Sequence, residues 1–318
     1  MTAGIVDPNR PSRGGGGAIY RFLRAIPTWV LWLLVIVWSI PTIGLLVNSV
    51  RSRDQQRTTG WWTVFTGNLS GLTLDNYRQV LGTTAAGGMK QGLTNSIAIA
   101  LPATIIPIAF ATFAAYAFAW IEFKHRQGLF IGTVALLAVP LQVALIPLLL
   151  MYVNGAHWTI PYYHKTITVF PDLNLAGTTT AVWLTHTAFA MPFAIFLIHN
   201  YISSLPKDIF ESARIDGANH FKIFYKLVVP LSVPVLAAFA IFQFLWTWND
   251  YLIAVTMVGA NESAAPSTVV IAAQTGQFGQ FEHLLTAGAF LQAAVPLAVF
   301  FLLQRFFVRG ILAGSVKG

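Results

Sequence analysis

Long apolar runs separated by polar breaks set the pattern of this chain. Residues 26–50 carry no charge, and similar runs cover about 94–120, 129–153, 181–202, 230 to beyond 251, and 284–303. An α-helix rises 1.5 Å per residue, so each run can cross the apolar core of a bilayer. The pattern therefore predicts six transmembrane helices. Ala111, Ala115 and Ala119 recur every fourth position in the second run, a spacing that lets two helices approach closely in lipid. Pro140 and Pro147 predict kinks in the third. The breaks between runs are polar or mixed: 51–90, 122–126, 154–180, 204–226 and 259–283.

The break at 204–226 holds the densest charge. It includes Pro206, Lys207, Asp208, Glu211, Arg214 and Asp216, followed by Gly217 and Ala218. Pro206 suits a first helical turn. Asp208 and Glu211 lie toward the positive end of that helix, and Arg214 toward its negative end. Ile209, Phe210 and Ala213 are spaced to share one face. Gly217 is placed to end the helix with a positive φ. A short, capped, amphipathic helix between two membrane spans is expected.

Glu211, Ser212, Ala213, then Gly217, then Leu227, Val229 and Pro230 resemble the EAA loop of ABC importer permeases. The usual family form is Glu-Ala-Ala, three residues, Gly, nine residues, Ile-x-Leu-Pro. Glu211, Ala213, Gly217 and Pro230 match at the expected spacing, while Ser212, Leu227 and Val229 are small or apolar departures. The stretch Leu72–Tyr77 is similar to one common in the same permeases, and the ending Val316-Lys317-Gly318 is similar to that of the sugar-type members. The resemblance extends from about residue 22 to 317 and implies the type I importer fold: an all-α membrane protein of six transmembrane helices with a short cytoplasmic coupling helix. It implies that Glu211, Ser212, Ala213, Asp216, Gly217, Ala218 and Pro230 serve coupling to an ATPase. The implied partners are a homologous permease subunit, two ATPase subunits that bind ATP and Mg, an extracytoplasmic solute-binding protein and a sugar.

Composition fits this reading. The 318 residues are 56% hydrophobic and 9% charged, against about 25% charged in soluble domains. The net charge is +8, which in a membrane protein bears on topology before nucleic acid. With both termini inside, 13 Lys and Arg fall inside and 6 outside. The positive-inside rule then places 204–226 in the cytoplasm, and the resemblance implies that the membrane is a bacterial inner membrane. Residues 1–25 read as a flexible N-terminal tail, 26–308 as the transmembrane permease domain and 309–318 as a cytoplasmic tail whose Gly310, Gly314 and Gly318 either contact the ATPases or stay disordered. The glycine run at 14–17 has no Gly-Lys-Ser/Thr after it and is read as linker. The first apolar run is too long for a cleaved signal peptide.

Enzyme chemistry finds no footing. There is no cysteine, no His-Glu-x-x-His and no Gly-x-Ser-x-Gly, and none of the seven lysines follows a glycine as a Walker A loop requires. The chain is expected to bind no cofactor and no metal and to be a transport subunit.

Candidate solute contacts concentrate in the fifth run: Gln243, Trp246, Trp248, Asn249, Asp250 and Tyr251. Aromatic faces stack on sugar C–H faces while amides and carboxylates bind hydroxyls. A carboxylate in lipid is costly, so Asp250 should face a cavity or a partner helix. The other reading is an interfacial aromatic belt with Asp250 capping a helix. The Gly and Gln content of 259–283 suits an adaptable contact with a binding protein, and a plain connector fits equally. Three alternatives stay open: an ABC permease for peptides, amino acids or glycerol-phosphate-type solutes, a secondary transporter coupling protons through Asp250 or His186, and a membrane enzyme on lipid-linked sugar.

Overall fold

The computed structural model describes residues 27–82, 88–160, 165–274 and 281–315. The predicted tail at 1–25, the glycine run at 14–17, and Gly276 and Gly279 lie outside them. Among the described residues, five helices have the length and hydropathy to cross a membrane. They are α1 (Thr28–Ser49), α4 (Gly88–Trp120), α7 (Thr179–Ser203), the run from α9 (His220–Ile223) into α10 (Val229–Asn249), and α13 (Glu282–Ser315). A sixth candidate is broken. α5 (Arg126–Ala135), a 3-10 turn (Leu136–Ala138) and α6 (Leu141–Asn154) meet at 101°.

That break corrects the expected kinks. Val139 and Pro140 are both extended, at ψ 119° and 126°, and Pro140 precedes the first residue of α6. Proline disfavours the helical conformation in the residue before it, and here the helix stops instead of bending. Pro147, by contrast, lies inside a continuous α6.

The connection at 154–180 also departs from an all-α chain. β1 (Ala156–Ile160) pairs antiparallel with β2 (Lys165–Phe170). Residues alternate across the ribbon. Thr159 shares a hydrogen bond with Thr166 at 3.1 Å and His157 with Thr168 at 3.3 Å, while Trp158 and Ile167 pair on the opposite, exposed side.

α4 and α7 form the central pair. Ala111 and Ala115 of α4 and Ala190 and Ala194 of α7 are fully or almost fully buried in one cluster, and Ala119 packs against it half-buried. Small side chains bring the two backbones close, which raises van der Waals contact where lipid supplies no hydrophobic drive. α1 lies outermost, with Trp29, Trp32 and Trp38 exposed.

At one end of the bundle, α2 (Arg53–Thr58), the 3-10 turn Trp61–Thr66 and α3 (Asp75–Gly82) cap the helices. Arg51 anchors that cap. It is 2% exposed and donates to Asn48 Oδ1, Gln55 O, Thr59 O and Thr59 Oγ1. Burial lowers its pKa from the ordinary arginine value, yet a guanidinium keeps its proton in a protein, so those acceptors take the place of a carboxylate. The same end holds much of the 259–283 connection against α4. Asn95 Nδ2 donates to Ser263 O and Ala265 O at 2.9 Å, and Ser96 and Ser267 share a hydroxyl hydrogen bond. A Cβ at Gly92 would meet Val270 Cγ2 at 2.9 Å and Ser267 Cα at 3.1 Å, so glycine permits α12 (Ser267–Ala273) to sit on α4. This part of the connection is pinned, where an adaptable loop was one expectation.

Candidate functional site

Two places draw together the residues singled out above, one at each end of α10. At the first, α8 (Lys207–Ile215) hangs between α7 and α9. Pro206 lies one position earlier than expected, as the capping residue rather than in the first turn. Asp208 sits in the first turn and Arg214 in the last, each matching the helix dipole. Phe210 fixes the helix to the bundle. It is 1% exposed and stacks on Trp120 at 3.8 Å between centroids, with an 18° interplanar angle. Trp120 in turn donates through Nε1 to Ile202 O. Ala213 packs in the same cluster, whereas Ile209, expected on that face, is 38% exposed.

The C-terminus of α8 closes as the spacing predicts. Gly217 has φ +76°. Its N–H donates to Arg214 O at 3.0 Å, and the Ala218 N–H reaches back to Ala213 O at 2.9 Å. This pair of bonds is the Schellman motif, which needs a left-handed residue at Gly217. Asn219 then starts α9 by accepting from the Lys222 N–H, and Tyr116 and His220 share a 2.9 Å hydrogen bond that ties α9 to α4. Glu211, Ser212, Asp216 and Gly217 are exposed together on this unit. Pro230 stands apart in the first turn of α10. It has no N–H for the Lys226 carbonyl, and the turn before it, Phe224–Val228, widens to a π-helix.

Removing the Phe210 ring is expected to detach α8 without unfolding the bundle. A buried Phe→Ala change costs about 3–5 kcal/mol, nearly all of it local to this helix. Hydrogen exchange of residues 207–215 should rise at least about 10-fold in the Phe210→Ala variant while α4 and α7 keep their protection.

At the other end, α10 stops at Asn249 rather than running beyond Tyr251. Asp250 is extended, and its Oδ2 accepts from the N–H groups of Ile253 and Ala254 at 2.9 and 3.1 Å. This caps α11 (Leu252–Val258). Thr268 of α12 also donates to the Asp250 carbonyl. Phe242, Leu245, Trp246, Asn249, Asp250, Tyr251 and Leu252 line an open groove of about 620 Å³. Phe242 and Trp246 also border a second, apolar cavity of about 430 Å³ beneath the α5–α6 break, together with Gln243.

Four of the six expected contact residues, Trp246, Asn249, Asp250 and Tyr251, thus share the groove. Gln243 is fully buried and donates to Ala103 O, with its Oε1 unpaired among the described residues. Trp248 is turned away. It is 2% exposed, donates to Gln292 O of α13 and stacks on Phe244. Its indole is a packing element between helices, which corrects its place among the expected contacts. The sequence reasoning missed Phe242 and Leu245, although positions 242, 245, 246 and 249 follow the helical i, i+3, i+4, i+7 pattern that puts them on one face.

Residues 108–313 match the sequence profile of the binding-protein-dependent transport system inner membrane component family. The chain belongs to that family. As a member it is a permease subunit of an ABC importer and not an enzyme. The osmoprotective compounds uptake permease protein GgtD of Synechocystis sp. is 50% identical over the full length of both chains. The alpha-glucoside transport system permease protein AglG of Rhizobium meliloti is 37% identical, with 93% of this chain and 98% of the relative covered. A bacterial ABC transporter involved in the import of the acidic polysaccharide alginate contains a chain of the same fold. Its TM-score is 0.64 at 18% identity, over 94% of this chain and 100% of that one.

Proposed function

We propose that this chain is one of two membrane-spanning subunits of an ATP-driven, binding-protein-dependent importer of neutral sugars or glycosides. Family membership and relatives named for α-glucoside, trehalose and arabinooligosaccharide transport support a carbohydrate substrate. The observation that carries the coupling role is α8 itself: an exposed Glu211–Ser212 face and a Schellman cap on a helix bolted to α4 and α7 through Phe210. The Lys and Arg count of 13 inside against 6 outside favours α8 and both termini in the cytoplasm.

The mechanism is mechanical. Two ATPase subunits binding ATP and Mg close against α8 and move it as one body. The motion passes through Phe210 and Trp120 to α4 and α7, and through α9 to α10. The groove at the far end of α10, together with the matching face of a homologous permease subunit, then opens outward to receive solute from its binding protein. Hydrolysis returns it inward. The ATPases must dock differently in the two states, since equal affinity shifts nothing.

Reconstitution in vesicles tests this. Uptake is expected only when the second permease subunit, ATPase and binding protein are all present with ATP. The buried approach of His186 to Asp250 gives the proton-coupled reading its one observation. Uptake by this chain alone, driven by a pH gradient, would establish that reading and overturn this one.

A further inference from the structure

His186 lies in α7, fully buried, and neither ring nitrogen has a hydrogen-bond partner among the described residues. Buried polar atoms without partners cost free energy and ask for a reason. Its neighbours are two walls of the groove. Nε2 stands 3.5 Å from Asp250 Oδ2, and the ring meets Trp246 edge-on at 5.6 Å between centroids. Oδ2 is already held by the Ile253 and Ala254 N–H groups. No hydrogen bond among the described residues uses Oδ1, and the side chain keeps 13% of its surface open.

We propose that His186 is a positioning residue for solute recognition, holding the Asp250 carboxylate and the Trp246 ring in register so that Oδ1 accepts a hydroxyl of a neutral sugar stacked on the indole. The inference rests on reading the groove as the solute site. At 3.5 Å the Nε2–Oδ2 contact exceeds the hydrogen-bond range of about 2.7–3.2 Å. A shift of a few tenths of an ångström as Oδ1 takes the hydroxyl closes it, with Nε2 carrying the proton. Nε2 then gains a hydrogen-bond partner only when solute is present. That is a differential interaction of the kind a solute needs to favour one state.

The test uses the complete transporter in proteoliposomes with its binding protein. The probe is whichever of radiolabelled sucrose or trehalose, both α-glucosides, the unaltered complex takes up better. A hydrogen bond to a charged group is worth enough that His186→Phe should raise KM about 10-fold, with Vmax and the amount of assembled complex held within about twofold. His186→Gln, which keeps a donor at similar reach, should bring KM back to within about threefold. His186→Asn is polar but too short, and should reproduce the KM rise if the phenylalanine variant does not assemble. An unchanged KM in both His186→Phe and His186→Asn overturns the proposal, as does a loss confined to assembled complex that glutamine does not rescue. Asp250→Asn separates the two levels. If it too leaves KM unchanged, the groove reading fails. If it alone raises KM, only the role of His186 fails.

Discussion

Gly217→Val is expected to uncouple transport while leaving the chain folded in the membrane. Gly217 holds φ +76°, and no atom beyond Asp216, Gly217 and Ala218 lies within 4 Å of where a Cβ would sit. Steric clash with neighbours therefore contributes nothing, and the whole effect comes from the backbone. A left-handed residue with a Cβ costs roughly 1–2 kcal/mol, and a β-branched one more. The local remedy is to leave that conformation, which breaks the Gly217-to-Arg214 and Ala218-to-Ala213 bonds that close α8. The helix then frays where Asp216 and Arg214 sit, and α9 leaves in a new direction. Uptake and binding-protein-stimulated ATP hydrolysis should both fall at least about 10-fold, the equivalent of 1.4 kcal/mol. Gly217→Asn, which tolerates the left-handed region, should retain most of both. Adding Glu211→Lys to Gly217→Val reverses a charge on the exposed face and should abolish the remainder. Normal coupling in that double variant would remove α8 from the mechanism.

The parts of this molecule that were legible in advance are those in which one residue type forces one outcome. Charge-free runs of bilayer length gave the spans, because lipid tolerates no other composition. Gly217 announced a left-handed cap because few other residues take that conformation cheaply. Pro140 announced a discontinuity but not its angle. A proline says only that the helix cannot continue, and nothing in the residues around Pro140 states the 101° at which α5 and α6 meet. The hairpin was legible and missed: His157, Thr159, Thr166 and Thr168 alternate with Trp158 and Ile167 at period two. Trp248 failed for a different reason. Chemistry alone cannot distinguish it from Trp246, two residues away. Their positions on the helix differ by about 200°, so one indole faces the groove and the other faces α13. His186 drew notice in the sequence only as a proton carrier, because its neighbours Trp246 and Asp250 stand 60 and 64 residues later and only the fold brings them together.

Asp250 is where the second large effect is expected. The residue has two duties that two substitutions can separate. Its Oδ2 caps α11 through the N–H groups of Ile253 and Ala254, and its charge faces the groove as part of the lining. Asparagine keeps one oxygen for the cap and puts an NH2 donor where Oδ1 stands, so it loses the charge and the free acceptor but not the cap. Asp250→Asn should therefore assemble normally while KM for a neutral α-glucoside rises about 10-fold, the loss of a hydrogen bond from a hydroxyl to a charged acceptor. Alanine loses the cap as well, for about 1 kcal/mol more. That cost falls on α11, which packs against α7 and Tyr152 in its own cluster, so Asp250→Ala should lower the thermal midpoint of the purified complex and Asp250→Asn should not. Among the described residues, the carboxylate is also the one charged side chain on the groove wall. It accepts hydrogen bonds and repels anions, so a uronic-acid glycoside should compete poorly with its neutral counterpart and gain ground in the Asp250→Asn variant. Equal competition by the two glycosides in the unaltered complex would show that Asp250 does not face the solute, and its role would then be to cap α11 alone.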